Sequence, residues 1–315
     1  MKPIPQDMHA WLLHGYGGPE AMRFQEMAVP QPGPGDLLLR VEVASVNPVD
    51  WKIRQGILQG VLALALPRVL GRDCVGIVAR AGTDCRGFEP GDRLLAVADP
   101  MRDGTHAEYA VVPCAQSARV PPGLAAADAA CLGIAGLSAY IPLVEIAALD
   151  KGRRVLIHAG AGGVGSIAIQ IAKHLGAEVW TTCGGANMDF CAALGADRVI
   201  DYTSERFEQA LRDCDVVFDT VGGEVHRRSF GVLRPGGLLV HLSAAPIDPV
   251  PPRGDVRVVR ADIRASNARL AALLDWAAAG VIRAQPGEVF ALAQAQQAYR
   301  LSASGHARGK LLLSA

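Results

Sequence analysis

The run Val155-Leu156-Ile157-His158-Ala159-Gly160-Ala161-Gly162-Gly163-Val164-Gly165-Ser166-Ile167-Ala168 constrains the fold more than any other feature of the chain. Gly160, Gly162 and Gly165 form G-x-G-x-x-G directly after an apolar strand, and the pattern opens an apolar-periodic helix that a second strand follows. In that setting it marks a dinucleotide loop. The first glycine permits a tight turn, the second lets the backbone approach a pyrophosphate, and the third lets helix and strand pack closely, while the helix N-terminus faces the anion. Gly160, Gly162, Gly163, Val164 and Gly165 are therefore the expected cofactor contacts. The alternative is a glycine-rich β–α turn with no ligand. A P-loop is excluded, because no Gly-Lys-Ser/Thr follows.

The texture differs on either side of residue 124. Before it, Leu39, Val41 and Val43 alternate with Arg40 and Glu42 as in a half-buried strand, and Gly/Pro clusters at 17–19 and 30–35 mark turns. After it, helices and strands alternate. A helical stretch over 125–148, broken near Pro142, leads to strands at 154–158, 178–182, 198–201, 215–219, 237–242 and 256–261, with helices at 166–175, 187–194, 205–211 and 224–233 between them. That alternation predicts an α/β fold with a doubly wound parallel sheet. A last helix near 267–279 is followed by a helix at 293–302 and a strand at 310–314. Since 315 residues exceed one compact core, two domains are expected: a catalytic β domain of 1–123 and 281–315, and a cofactor-binding domain of 124–280 inserted in it.

Lys plus Arg and Asp plus Glu both number 31, so no charge excess points to nucleic acid. No apolar core follows the N-terminal Lys2, and the apolar run 61–66 is far too short to span a bilayer, which suggests a cytoplasmic protein with no membrane partner. Seven cysteines, at 74, 85, 114, 131, 183, 191 and 214, form no C-x-x-C pair and read as reduced, mostly buried thiols.

NAD-preferring loops place an acid at the end of the second strand. Here the end reads Thr181-Thr182-Cys183-Gly184-Gly185-Ala186-Asn187, with no acid, and Glu178 lies too far back. NADPH is favoured over NADH on the absence of an acid alone, because the turn also lacks an Arg or Lys to contact a 2′-phosphate.

The chain resembles the zinc-free quinone oxidoreductase and enone reductase branch of the medium-chain dehydrogenase/reductase superfamily. The resemblance runs through Tyr16-Gly-Gly-Pro-Glu20, Ser45-Val-Asn-Pro-Val-Asp50, residues 104–113 (GTHAEYAVVP), Ala135-Gly-Leu-Ser-Ala-Tyr140, the glycine loop, Leu194-Gly-Ala-Asp197, Val199-Ile-Asp-Tyr202 and Val217-Phe-Asp-Thr-Val-Gly-Gly223. It implies a GroES-like β domain built from the ends of the chain and a Rossmann domain in the middle, with the active site between them. Zinc-dependent relatives carry Cys near Asn47 and His where Arg72 stands, so no metal is expected. Nor do the eight His form a recognisable ligand cluster.

Without a Lewis acid a simple ketone is a hard substrate. A quinone or α,β-unsaturated carbonyl is easier, because the charge left by hydride addition spreads to an oxygen that a hydrogen bond or ammonium stabilises. The resemblance assigns that contact to Lys52, which acts as stabiliser or proton donor if burial lowers its pKa; the alternative is a solvated surface lysine. Some quinone reductases have Tyr there, so Lys52 favours the enone side. Asn47 is expected to orient the nicotinamide or a water, or else to be a plain turn residue. Tyr202 matches a position near the adenosine 2′-phosphate, or is a strand-end core aromatic. Gly184 replaces a serine that NADPH-dependent members often have, and Asn187 is a substitute hydrogen-bonding group. Ser243 and Lys310 are expected near the cofactor, each with a surface alternative.

The Leu- and Ala-rich segment 55–67 suggests a small apolar substrate. The resemblance also implies a homodimer through edge strands. Two other readings remain at this stage: a non-catalytic NADPH-binding sensor or crystallin-like protein, and an enoyl-thioester reductase.

Overall fold

The computed structural model describes residues 3–62, 64–242, 247 and 253–315, and the statements below refer to these. In chain order the first elements are strands β1 (Asp7–Leu13), β2 (Met22–Ala28) and β3 (Asp36–Ser45), helix α1 (Pro48–Arg54), strands β4 (Arg68–Val69), β5 (Asp73–Ala81), β6 (Arg93–Val97), β7 (Tyr109–Pro113) and β8 (Ser117–Arg119), and helices α2 (Ala126–Ala130) and α3 (Ile134–Tyr140). Strand β9 (Arg154–Ile157) begins a βα series: α4 (Gly163–His174), β10 (Glu178–Cys183), α5 (Met188–Ala193), β11 (Arg198–Asp201), α6 (Phe207–Ala210), β12 (Cys214–Asp219), α7 (Gly223–Ser229), β13 (Leu233–His241) and β14 (Arg257–Arg260). Helix α8 (Asn267–Ala278), β15 (Pro286–Ala291), α9 (Ala295–Ser304) and β16 (Lys310–Ser314) follow.

Two compact units result. One holds the chain through Ile134 together with Ala265–Ala278 and Ala284–Ala315; the other holds Ala135–Arg264 and Ala279–Arg283. In the first unit the main sheet has the order β15-β16-β3-β5-β6-β8, with β7 also on β3, and a smaller sheet is ordered β2-β1-β4. Strand β3 lies between two cores. Leu37, Leu39 and Val41 face one that includes Trp11, Tyr299 and Leu313, whereas Leu38 faces another with Met8 and Tyr109. Strand β16 pairs antiparallel with β3, setting Leu312 opposite Ser45, so the late segments complete the first unit.

The second unit is a parallel sheet of order β11-β10-β9-β12-β13-β14. Counted from β9 this is the doubly wound order 3-2-1-4-5-6, whose direction reverses between β9 and β12. Val155, Leu156 and Ile157 of β9 are fully buried, as a strand covered on both faces requires.

The sequence expectation is corrected in two places. The helical stretch over 125–148 breaks at 131–133, not at Pro142, because the Ile134 N–H donates to the Asp73 carboxylate at 3.0 Å. Pro142 lies inside a π-helical stretch, Ile141–Ile146, whose wider turn absorbs a ring without a donor. Helix α8, expected to close the cofactor domain, belongs to the first unit. There Asn267 Nδ2 donates to the carbonyls of Cys114, at 2.7 Å, and Ser117, at 2.5 Å.

Candidate active site and cofactor loop

In the second unit the glycines of the loop have separate physical reasons. A Cβ on Gly165 would lie 2.2 Å from the Ala159 carbonyl oxygen and 2.7 Å from the Gly160 Cα, and one on Gly160 would lie 2.1 Å from Thr181 Oγ1. Those two are required by packing alone. A Cβ on Gly162 would meet nothing closer than the Ala159 oxygen at 3.4 Å, so the protein itself does not demand a glycine there. Gly162, Gly163 and Val164 are half-buried and begin α4, whose first-turn N–H groups have no acceptor inside the helix. A cradle that only an outside group would fill, at a helix N-terminus, fits a pyrophosphate.

The turn after β10 collects the other expected contacts. The Tyr202 hydroxyl lies 3.7 Å from where a Gly184 Cβ would stand, and the ring is 61% exposed rather than in the core. Asn187 N–H donates to the Gly184 carbonyl at 2.8 Å, closing the same turn. Glu178 is occupied at the far end of β10 by Arg154, at 2.9 Å, and by the Trp180 indole, at 2.7 Å. The turn is acid-free in sequence, but folding brings an acid to it: Asp201 Oδ2 lies 2.8 Å from the position of a Gly185 Cβ. The register Cys183↔Asp201 between the parallel strands β10 and β11 carries it there. Hydrogen bonds from the Thr203 backbone and hydroxyl lower the Asp201 pKa. Ser243 lies outside the described residues.

In the first unit the structure joins Asn47 to Lys310, residues 263 positions apart. Asn47, only 3% exposed, receives Lys310 Nζ on its Oδ1 at 2.7 Å, and its Nδ2 donates to Asp73 Oδ1 at 2.8 Å and Ser45 Oγ at 3.1 Å. Its carboxamide hydrogens are thus committed within the protein. Lys310 Nζ also donates to the Val46 carbonyl at 2.6 Å, and Ser45 Oγ donates to Asp73 Oδ1 at 2.6 Å. Burial lowers the Lys310 pKa, against the attraction of Asp73 and Asp50. Asp50 accepts the Asn47 backbone N–H at 2.7 Å and so fixes the start of α1. Burial raises its pKa, opposed by the charge of His106 and the Asn47 hydrogen bond. His106 in turn bridges the Ser45 carbonyl, at 3.1 Å, and the Tyr299 hydroxyl, at 2.8 Å.

Lys52 is half-buried one turn into α1, with its ammonium 5.5 Å from the centre of the Trp51 ring. Burial lowers its pKa, the condition set for an acid role. Of the segment 55–67, Leu58, Leu62, Leu64 and Leu66 pack on the core, while Ile57 and Val61 stay 60% and 78% exposed. Ala63 lies outside the described residues.

Two family models match the chain: an alcohol dehydrogenase GroES-like domain over residues 33–122 and a zinc-binding dehydrogenase over residues 194–313. A chloroplastic quinone-oxidoreductase of Triphysaria versicolor is 32% identical over 97% of this chain and 98% of its own length. The chain belongs to the zinc-free quinone oxidoreductase branch of the medium-chain dehydrogenases/reductases. Its first unit carries the family's GroES-like domain and its second the Rossmann sheet. A 2-methylene-furan-3-one reductase of tomato, Solanum lycopersicum, is 36% identical over 78% of this chain, a stretch covering 65% of the tomato protein. The crystal structure of Escherichia coli quinone oxidoreductase complexed with NADPH superposes with a TM-score of 0.90, at 26% identity, over 98% of this chain and 100% of that one.

A zinc ion does not fit the residues present. At the two positions where zinc-dependent relatives have Cys and His stand a carboxamide already holding an ammonium and the Arg72 guanidinium. Burial lowers the Arg72 pKa, with Asp50, Asp73 and Asp99 opposing. Sequence reasoning missed Ser45, Asp50, Asp73, His106 and Tyr299 as members of this network. Asp50 and Ser45 lie inside the recognised 45–50 motif, which was a signal; Tyr299, on α9, gave none. Among the described residues no helix is long and apolar enough to cross a membrane.

Proposed function

We infer that the protein is an NADPH-dependent oxidoreductase that delivers hydride to a quinone or α,β-unsaturated carbonyl without a metal. The observation that carries this reading is the Asn47–Lys310 contact of 2.7 Å, which puts a protein cation where a metal-dependent relative has a metal ligand. Bound NADPH supplies the hydride. Gly162, Gly163 and Val164 hold its pyrophosphate, while Gly160 and Gly165 shape the loop. Gly184, Asn187 and Tyr202 receive the adenosine side, where the Tyr202 hydroxyl and the Asn187 amide serve a 2′-phosphate.

Lys310 has two of its three donors tied to Val46 and Asn47; the third is the cofactor contact. Asn47 orients the nicotinamide indirectly, by holding that ammonium. Lys52 stabilises the oxyanion left by hydride addition or donates a proton, as its lowered pKa favours. The substrate is small and apolar, with Ile57 and Val61 as its contacts. We place the protein in the cytoplasm as a homodimer, which light scattering tests.

The test is NADPH consumption, followed by absorbance, over a panel of quinones and enones. Turnover of at least one is expected; tight NADPH binding with no turnover on any would move the protein to the sensor reading.

A further inference from the structure

A buried carboxylate–imidazole pair lies outside the residues used above. Asp219, 1% exposed, ends β12, the strand next to β9 at the reversal of the sheet order. Its Oδ1 accepts the N–H groups of Val221, at 2.8 Å, and Gly222, at 2.9 Å. Its Oδ2 lies 2.7 Å from Nδ1 of His226 on α7, and since a carboxylate only accepts, the imidazole is the donor. His226 is 4% exposed and wedged edge-on between Phe230, at 5.5 Å, and His241, at 5.0 Å between ring centres.

The turn that Asp219 shapes is also tied to the glycine-loop strand. Thr220 Oγ1 donates to the His158 carbonyl at 2.8 Å, and the His158 N–H donates to the Phe218 carbonyl at 3.1 Å. Open α/β sheets take their ligands outside the carboxyl ends of the strands at the point where the order reverses. The turn 220–222 therefore borders the ligand crevice directly, and its two N–H groups point inward to a carboxylate that His226 holds in place.

We propose that His226 is a positioning residue for the dinucleotide: by fixing the Asp219 carboxylate it fixes the 220–222 turn in the shape that accepts the cofactor. This rests on the reading that the second unit binds NADPH. His226 touches no reacting atom, so its removal acts on cofactor affinity and not on the chemical step.

The test compares His226→Phe, which keeps the ring and loses the donor, with His226→Asn, whose amide places a donor near the position of Nδ1. NADPH affinity is measured by fluorescence titration and turnover at saturating NADPH. His226→Phe is expected to weaken the NADPH Kd about tenfold or more, the fold-change of one lost hydrogen bond to a charged group. Its kcat stays within about twofold, and His226→Asn recovers the Kd to within about threefold of wild type. Wild-type affinity in His226→Phe, or equal impairment in both variants, would overturn the proposal alone. Wild-type protein that binds no NADPH would overturn the functional reading beneath it. Should His226→Phe not fold, amide hydrogen exchange on the wild type decides: Val221 and Gly222 N–H gain protection when NADPH is added, and unchanged protection at both refutes the proposal.

Discussion

Gly162→Ala and Gly165→Ala should have opposite consequences, although both change one glycine of the same loop. At Gly165 the new Cβ falls 2.2 Å from the Ala159 carbonyl oxygen, more than about 1 Å inside van der Waals separation. The obstacle is backbone, so the first turn of α4 must move off the strand. Overpacking of this kind destabilises by about 1–3 kcal/mol, and for a chain of this size Tm falls by about 2–5 °C. At Gly162 the backbone has φ −77° and ψ 172°, open to any residue, and the nearest atom is 3.4 Å away. The Tm of Gly162→Ala without cofactor should stay within about 2 °C of wild type. Its methyl group, however, stands where a pyrophosphate must come close, so the NADPH Kd weakens at least about tenfold, or about 1.4 kcal/mol. Differential scanning fluorimetry without cofactor and NADPH titration separate the two effects. Normal NADPH affinity in Gly162→Ala would mean that the pyrophosphate does not lie on this loop, and a wild-type Tm for Gly165→Ala would refute the packing argument.

Lys52→Ala should lower kcat about a hundredfold with NADPH affinity unchanged; in the wild type the rate falls as pH rises through a pKa below the usual lysine value, and a variant with wild-type turnover removes the residue from the mechanism. Asp201→Asn should raise the preference for NADPH over NADH several-fold, because it removes a carboxylate that repels a nearby phosphate; an unchanged ratio of kcat/KM values would place the 2′-phosphate elsewhere. Burial holds the His158 imidazole down to about 4, against an ordinary value of 6.5. The unfolded chain therefore binds more protons between those values, and about 3 kcal/mol of stability, complete above the higher value, is lost as pH falls toward the lower. Melting curves over that range should be flatter for His158→Gln, and parallel curves would refute the assignment.

The second unit was legible because its signals are local. Val155 to Ile157, the glycines after them and the apolar face of α4 are neighbours in sequence, and β11 falls at 198–201 as expected from the βα alternation. The position of Asp201 was not legible from the β10 turn alone, since it depends on how two parallel strands align. In the first unit the motif 45–50 pointed to Asn47 as a reaching side chain, but what engages its amide is Asp73 and Lys310, at sequence distances of 26 and 263. Such pairings leave no periodicity to read. Pro142 misled for a related reason: a proline signals a break only where the backbone cannot widen its turn, and here it does.

Strand β3 waits for β16 across the whole inserted unit. On a ribosome the βα series from β9 to β14 is complete, and free to collapse on its own local contacts, while the end of β3 at Val43–Ser45 still lacks its partner on one side. Only when Lys310 emerges do Val46 and Asn47 gain their ammonium and Val43–Ser45 of β3 their partner strand. Synthesis thus completes the Rossmann sheet before the Asn47–Lys310 contact can form.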